Sequence, residues 1–165
     1  MAAFGGPLNE SEMFEEELRK LCLCMNEQGV KYLFIGGYAV NFHGFQRATV
    51  DLDIWYGPSK QNFDHLIKAV KSFGFEVPSE LEEASLANAF IRLPLGEMKI
   101  ELMGKIDGKF SFEEAYKTSV ETSFQGIPIR VISYEFLIEN KIMSRRPKDI
   151  LDIQELEKRR NLNRE

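Results

Sequence analysis

The chain has 165 residues, enough for one globular domain, and 44% of them are hydrophobic, including 13 phenylalanines. Its formal net charge of −5 argues against indiscriminate binding of nucleic acid, and no apolar stretch approaches the ~20 residues needed to span a bilayer. The first eight residues lack the basic and apolar segments of a secretory signal, so we expect a cytoplasmic protein that does not enter a membrane.

Hydrophobic periodicity predicts five elements in the first half of the chain. They are a helix over 10–28, a strand over 31–35, a short helix over 37–43, a strand over 49–55 and a helix from Ser59 to Phe73. In the second strand, Val50, Leu52 and Ile54 form the face that we expect to lie in the core. The pair Gly36-Gly37 lies where the first strand gives way to the short helix.

The sequence of the second half of the chain predicts a hairpin, further strands and two C-terminal helices. Its elements are strands over 89–93 and 98–103 with a turn at Pro94-Leu95-Gly96, a helix over 111–118, strands over 120–124 and 127–132, and helices over 133–144 and 147–160. The fold class is therefore α/β (α+β), a small mixed sheet flanked by helices. We expect a single domain over 1–165, with an N-terminal helix in 1–29, an α/β core in 30–132 and C-terminal helices in 133–165.

Asp51 and Asp53 are the residues most typical of a functional site. Side chains alternate along a strand, so both carboxylates project from the same face. Two neighbouring carboxylates repel each other unless a cation lies between them, and Mg²⁺ prefers oxygen ligands of this kind. Glu101 has a similar apolar setting and could act as a third acid, as a metal ligand or as a proton acceptor. Alternatively, Glu101 is an exposed strand residue paired with Lys99.

Gly36 and Gly37 follow an apolar strand and open a helix, an arrangement that offers backbone N–H groups to phosphate. Glycine pairs also mark ordinary turns, so this signal depends on the acids that follow after thirteen residues. Arg47 and Thr49 lead into Asp51 with alternating spacing. Arg47 could hold a phosphate, or it could pair with one of the aspartates.

These motifs resemble those of the DNA polymerase beta-like nucleotidyltransferase superfamily. The string GGYAVNFHGFQRATVDLDI is similar to the minimal nucleotidyltransferase branch that includes the toxin components of AbiE-type abortive-infection systems. The tail FLIENKIMSRRPKDILDIQEL is similar to the ending of those proteins. The resemblance covers about residues 30–158 and implies the nucleotidyltransferase fold.

The resemblance implies roles for particular residues. It assigns Asp51, Asp53 and Glu101 to an acidic triad that binds Mg²⁺, with two ions expected and Mn²⁺ as a substitute. The nucleotide-binding residues that it implies are Gly36, Gly37, Arg47, Thr49 and Lys141. The motif of Lys148, Asp149 and Asp152 matches the last helix of the family, where a salt-bridge network is an equal alternative.

Two positions depart from the common superfamily pattern. Many members have serine as the second residue of the glycine motif, where this chain has Gly37. Phosphate contacts would then depend mainly on backbone N–H groups. The third acid is Glu101 and not the more common aspartate, which keeps the carboxylate chemistry on a longer side chain.

The predicted function is Mg²⁺-dependent transfer of a nucleoside monophosphate from an NTP to a hydroxyl. An RNA 3′ end, a protein hydroxyl and a small alcohol are all open as acceptors, and a toxin-like enzyme would have a separate antitoxin as its partner. The alternative from another class is an inactive nucleotide-binding or scaffold protein that keeps the fold. A nucleic-acid-binding module without chemistry is a third interpretation, which the net charge of −5 disfavours.

Overall fold

The computed structural model describes residues 6–49, 51–79 and 89–164, and in these ranges it contains six helices and six strands. In chain order they are α1 (Glu10–Glu27), β1 (Tyr32–Ile35), α2 (Gly36–Phe42), β2 (Asp51–Tyr56), α3 (Lys60–Phe73), β3 (Phe90–Leu95), β4 (Met98–Met103), α4 (Phe112–Lys117), β5 (Val120–Phe124), β6 (Ile127–Val131), α5 (Tyr134–Ser144) and α6 (Pro147–Leu162). The α/β fold class predicted from the sequence is confirmed.

Local sequence signals account for most of the helix ends. The side chain of Ser59 accepts a hydrogen bond from the backbone of Asn62, which caps α3 as predicted. Gly74 ends the same helix in the left-handed conformation, with φ of 115°. Ser133 caps α5 in the same manner as Ser59 caps α3. Pro147 occupies the first turn of α6, where its missing N–H has no helical partner to lose.

The six strands form one mixed sheet in the order β3-β4-β2-β1-β6-β5. The central strands β1 and β2 are antiparallel, whereas β2 is parallel to β4 and β1 is parallel to β6. Antiparallel hairpins, β3–β4 and β5–β6, form the two edges. The beginnings of β2 and β4 therefore lie at the same edge of the sheet as the end of β1.

The hydrophobic core follows the strand alternation that the sequence predicts. Leu52 and Ile54 of β2 are buried, as are Ile100 and Leu102 of β4. Val50, predicted to continue the core face of β2, lies outside the described residues. Helix α1 packs against α3 and against β6. The opposite face of β2 and β4 carries the acids. No helix in the described ranges is both long enough and apolar enough to cross a membrane.

The β3–β4 hairpin differs from its predicted boundaries. Pro94 and Leu95 belong to β3, with Pro94 opposite Lys99 in the register, and the turn lies at Gly96 and Glu97. Proline donates no hydrogen bond, but β3 is an edge strand and has a neighbour on one side alone. The edge position therefore allows the strand to continue through a residue that the sequence pattern assigns to a turn.

Candidate active site

Two of the predicted acids lie side by side on neighbouring strands. Asp53 on β2 is the register partner of Glu101 on the parallel strand β4. On its other side, Asp53 pairs with Ile35, the last residue of β1. Arg92 on β3 is the register partner of Glu101, and its Nη2 lies 3.2 Å from a carboxylate oxygen of Glu101. The sheet thus brings four residues from four strands into one row, where β1 passes into α2.

Gly36 brings the backbone directly against the carboxylate of Asp53. Its φ of +58° lies in the left-handed region, which side chains other than glycine rarely adopt. A Cβ atom built at Gly36 would lie 2.4 Å from Oδ2 of Asp53, well inside van der Waals contact. Both the turn out of β1 and the space beside the acid therefore require glycine.

Gly37 and Thr49 fit together on the Asp51 side of the site. A Cβ atom at Gly37 would lie 2.9 Å from Cβ of Thr49, so the glycine makes room for this threonine. The Thr49 hydroxyl donates a hydrogen bond of 2.7 Å to the backbone oxygen of Asp51. Thr49 holds the start of β2 and does not line the cavity that contains Asp53 and Glu101. Its contact with nucleotide stays a prediction.

The surroundings of Asp53 oppose its negative charge. Burial raises the pKa of Asp53 to about 6, and the negative charges of Glu101 and Asp51 act in the same direction. Among the described residues, the buried Oδ1 atoms of Asp51 and Asp53 have no hydrogen-bond partner. Lys99 offers Asp51 an ion pair at 4.0 Å. Buried carboxylate oxygens without partners are costly, so a cation bound between them would stabilise the site.

This donor set fits Mg²⁺ when a substrate supplies part of the coordination. The described residues contain no group of three or more His, Cys, Asp or Glu side chains placed to hold a metal ion by themselves. Mg²⁺ is commonly bound by one or two carboxylates together with water and substrate phosphates. The Oδ1 atoms of Asp51 and Asp53, which accept no hydrogen bond in the described structure, meet that requirement.

A cavity of about 580 Å³ opens beside the row of strands. Asp53 and Glu101 line it together with Gly36, and α5 contributes Lys141. Three cationic side chains belong to its lining, namely Lys105, Lys141 and Arg146. Asp107 is a third carboxylate of the lining, which thus contains acids and cations in equal number. Such a mixture suits a ligand that carries both bound metal and negatively charged phosphates.

Lys141 of α5 and Arg47, which precedes β2, both contact buried aspartates of α6. The Lys141 ammonium lies 3.1 Å from a carboxylate oxygen of Asp149 and 2.9 Å from one of Asp152. Arg47 donates two hydrogen bonds to Asp152, of 2.7 and 2.9 Å, so its partner is neither Asp51 nor Asp53. Arg146 contacts Asp149 from the solvent side. Lys141 reaches the cavity wall and Arg47 does not, and the nucleotide-binding roles of both stay predictions.

The family model described as "Nucleotidyl transferase of unknown function (DUF2204)" matches residues 14–164. The chain belongs to this family. The match includes both acid-bearing strands, the glycine pair and the two helices that carry the charge network. The nucleotidyl transferase class predicted from the sequence is confirmed, whereas the AbiE-type branch is not decided by this match. A comparison with curated proteins finds no match.

Solved structures show the same fold for this nucleotidyl transferase family member. The antibiotic-resistance factor ANT(2″)-Ia superposes with a TM-score of 0.58 at 17% identity, over 87% of this chain and 82% of that one. The lincosamide adenylyltransferase LnuA in its lincomycin-bound form gives 0.56 at 19%, over 87% and 96%. A nucleotidyltransferase-like protein from Paracoccidioides brasiliensis gives 0.53 at 18%, over 92% and 78%. At these identities the likeness concerns the fold.

Sequence reasoning overlooked two cations of the site. Arg92 reaches Glu101 because β3 and β4 pair in a particular register, which the sequence does not reveal. Lys105 follows β4 in the chain and lines the cavity. The signal available for Arg92 was its alternation with the buried Ile91 and Leu93, which puts Arg92 on the polar face of the strand.

Proposed function

We propose that this chain transfers a nucleoside monophosphate from ATP or another NTP to a hydroxyl acceptor, with Mg²⁺ bound at Asp51, Asp53 and Glu101. One observation carries the proposal above all others. Asp53 and Glu101 are register partners on parallel strands, and the Oδ1 atom of Asp53 is buried without a hydrogen-bond partner in the described structure. This pair lines a cavity that also contains cations, as a triphosphate requires.

Each residue has a distinct task in this proposal. Two bound Mg²⁺ ions, or Mn²⁺ in their place, would neutralise the triphosphate and increase the acidity of the acceptor hydroxyl. Asp51 and Asp53 bind the cations on the face of β2. Glu101 completes the acidic set and accepts the proton of the attacking hydroxyl. The backbone of Gly36 and Gly37, which has no side chain in the way, approaches the phosphates.

The phosphates would meet the cations that line the cavity. Arg146 and Lys105 are exposed, and both line the cavity. Lys141 also lines it, but its charge is balanced by the buried Asp149 and Asp152. Arg146 also pairs with Asp149, although its side chain stays exposed. We therefore assign the main attraction for phosphate to Lys105 with a smaller share from Arg146, and the orientation of the nucleotide to Lys141. Arg47 and Thr49 would act through the position of Asp51.

The finer biological role also belongs to this proposal. The glycine-to-acid string and the basic tail support a cytoplasmic, toxin-like enzyme of the AbiE-type branch with a separate antitoxin. RNA 3′ ends, protein hydroxyls and small alcohols are the acceptor classes to compare. Two structural neighbours are named for antibiotics, as an antibiotic-resistance factor and a lincosamide adenylyltransferase, which supports including small alcohols.

Replacement of both aspartates tests the nucleotide site. The D51N/D53N variant should be at least as stable as the wild type without metal, because it relieves repulsion between the acids. It should lose the Mg²⁺-dependent rise in melting temperature that we expect for the wild type with one or more of the four NTPs. Asp64→Asn removes an exposed carboxylate on α3 and serves as the control, which should keep the full rise.

Two outcomes of that experiment would contradict the proposal in different ways. An equal Mg²⁺-dependent rise in the double variant would remove Asp51 and Asp53 from the nucleotide site. No rise for the wild type with any NTP, at concentrations far above a micromolar dissociation constant, would favour the scaffold alternative. Binding that survives in the wild type without any detectable transfer would identify an inactive nucleotide-binding protein.

Glu101→Gln separates chemistry from binding. The amide keeps the size of the side chain but cannot take up a proton, so turnover should fall by about a hundredfold or more. Nucleotide affinity should fall much less, since Asp51 and Asp53 remain. Labelled NTP measures turnover, and equilibrium titration measures affinity. Glu113→Gln, an exposed change on α4, is the matched control. A variant with wild-type turnover would exclude Glu101 from the mechanism.

A further inference from the structure

One of the three acids already has a cation in contact with it. Nη2 of Arg92 lies 3.2 Å from Oε1 of Glu101, whose side chain is only 15% exposed. Asp51 and Asp53, in contrast, each have a buried Oδ1 atom without a hydrogen-bond partner in the described structure. Lys99 lies 4.0 Å from that oxygen of Asp51, which is beyond hydrogen-bonding distance. The acids are therefore unequal, because two of them offer free oxygens and the third is paired.

The sheet determines the position of Arg92. In the strand order β3-β4-β2, Arg92 and Asp53 are the register partners of Glu101 on its two sides. The guanidinium carbon of Arg92 also lies 5.6 Å from the ring centre of Phe90, two residues earlier on β3. The register and the ring contact together favour the position of the guanidinium beside Glu101, although 55% of the Arg92 side chain is exposed.

Arg92 approaches Glu101 from outside the nucleotide cavity. Glu101 and Phe90 line that cavity, whereas Arg92 is not among its described lining residues. The cations that do line the cavity follow β4 or belong to the C-terminal helices and the turn between them, namely Lys105, Lys141 and Arg146. The position of Arg92 is therefore suited to pairing with the acid, and less suited to binding phosphate inside the cavity.

The acids do not converge on one point in this arrangement. In the part of the chain that the structure describes, no three His, Cys, Asp or Glu side chains are placed to hold a metal ion. Asp53 and Glu101 are nevertheless register partners on adjacent strands, whose spacing of about 4.8 Å would allow both to contact one cation. For Glu101 to join Asp53 around a cation, the attraction of Arg92 for Glu101 has to be overcome.

We propose that Arg92 is an internal counter-ion, which competes with the metal ion for Glu101 and thereby sets the metal affinity of the acids. This inference rests on the proposed function and concerns the control of the same site. Arg92 is a positioning residue in this role, because it acts through Glu101 and does not touch the substrate. Ion pairs of exposed side chains are weak, so we expect Arg92 to change the metal affinity by about threefold.

Arg92→Gln tests the competition. The amide has no charge, so this variant should bind Mn²⁺ about threefold more tightly than the wild type. Mn²⁺ is titrated alone and again with a saturating α,β-methylene analogue of the NTP that binds most tightly, and electron paramagnetic resonance measures free Mn²⁺. Arg92→Lys keeps the charge and should have an affinity close to that of the wild type. Equal or weaker binding by Arg92→Gln, in any titration in which the wild type binds Mn²⁺, would overturn the proposal.

Two other cations separate the contact with Glu101 from the general charge of the site. Lys60→Gln removes an exposed cation of α3 and should leave the Mn²⁺ affinity unchanged. Lys99→Gln removes the same charge from β4, beside a different acid. In an E101Q background, the effect of Arg92→Gln should vanish and that of Lys99→Gln should persist. An effect of Arg92→Gln that is equally large in both backgrounds would overturn the proposal, because it would be a long-range effect of charge.

The Mg²⁺ dependence of transfer is a readout that a purely structural role would not move in the same direction. Arg92→Gln should reach half-maximal transfer at about a third of the Mg²⁺ concentration that the wild type requires. A distorted site would instead raise that concentration. Reduced turnover at saturating Mg²⁺, with an unchanged Mg²⁺ requirement, would show that Arg92 acts in the transfer step itself and would overturn the proposal.

The same titrations keep this inference distinct from the proposed function. Mn²⁺ binding that is lost in D51N/D53N but equal in the wild type and Arg92→Gln would refute the inference and leave the metal site intact. Absence of Mn²⁺ binding by both the wild type and Arg92→Gln, with and without the NTP analogue, would refute the proposed metal site and this inference with it.

Discussion

A methyl group at position 36 has no room beside Asp53, and the backbone there is left-handed. Gly36→Ala should therefore combine backbone strain with a clash and destabilise the protein by about 3 kcal/mol. Gly96→Ala is the matched control, because Gly96 has φ of +65° but no atom within 4 Å of the position that its new methyl group would take. It should cost about 1 kcal/mol.

Urea unfolding measures both glycine variants, and an NTP titration follows for each. Nucleotide affinity should fall for Gly36→Ala alone, because that methyl group displaces the Asp53 carboxylate. Equal destabilisation by the two substitutions would mean that the contact between Gly36 and Asp53 does not constrain the site.

The raised pKa of Asp53 makes stability depend on pH in the metal-free protein. The pKa is about 6 in the folded chain and starts from an ordinary value of 3.8. The folded state thus binds the proton more tightly, so this residue favours folding below about pH 4 and loses that contribution as the pH rises through 6. Asp53→Asn should be more stable than the wild type at pH 7 by 1 to 3 kcal/mol, roughly, and nearly equal to it at pH 4.

Denaturant unfolding at a series of pH values, with a chelator present, checks this difference between wild type and Asp53→Asn. Asp64 lies in an exposed ion pair with Lys60, so the unfolding free energy of Asp64→Asn should differ from that of the wild type by the same small amount at every pH. Addition of Mg²⁺ and nucleotide should reduce the advantage of Asp53→Asn at pH 7. A difference that stays constant between pH 4 and 7 would contradict the raised pKa.

At the residue scale, the sequence predicts the acids better than it predicts the cations. Asp51 and Asp53 stand out because aspartate is a poor strand former, and two of them between apolar neighbours break the local pattern. The sequence around Arg47 and Lys141 does not indicate which carboxylates these two cations contact. Their common partner, Asp152, is 105 positions from Arg47 in the chain, so the pairing depends on the tertiary fold.

At the element scale, Asp152 joins three separate segments through one buried carboxylate. Asp152→Asn would leave Arg47 without an ionic partner and Lys141 with Asp149 alone. Removal of one member of a buried ion pair is strongly destabilising, so we expect a loss of about 3 kcal/mol. Chemical denaturation measures this loss of unfolding free energy. Asp64→Asn, an exposed change, is the control and should cost less than about 0.5 kcal/mol. A loss no larger than the control's would show that the network contributes little to stability.

The elements themselves are largely predictable, whereas their pairing is not. Periodicity and capping residues predict each helix and strand to within a few residues, as Ser59 and Gly74 illustrate for α3. The hairpin boundary at Pro94 was wrong because edge position depends on the sheet order, which no local pattern contains. The parallel pairing of β2 with β4, which joins Asp53 to Glu101, likewise required the structure.

At the scale of the whole molecule, the net charge of −5 conceals an uneven distribution. The cavity that contains Asp53 and Glu101 is lined by three cations as well as by carboxylates. The charged residues that line the groove between α1 and the β3–β4 turn are all glutamates. Cations of the chain are thus concentrated near the acids of the sheet, and this other surface is acidic.

The bond between Arg47 and Asp152 also has a consequence for biosynthesis. A ribosome releases the chain from its N-terminus, so the acids of β2 and β4 emerge long before α6. Until Asp152 arrives, the Arg47 side chain lacks its carboxylate partner and Lys141 has one carboxylate fewer. The charge network that joins Arg47, Lys141 and α6 is therefore completed only after both acid-bearing strands have been synthesised.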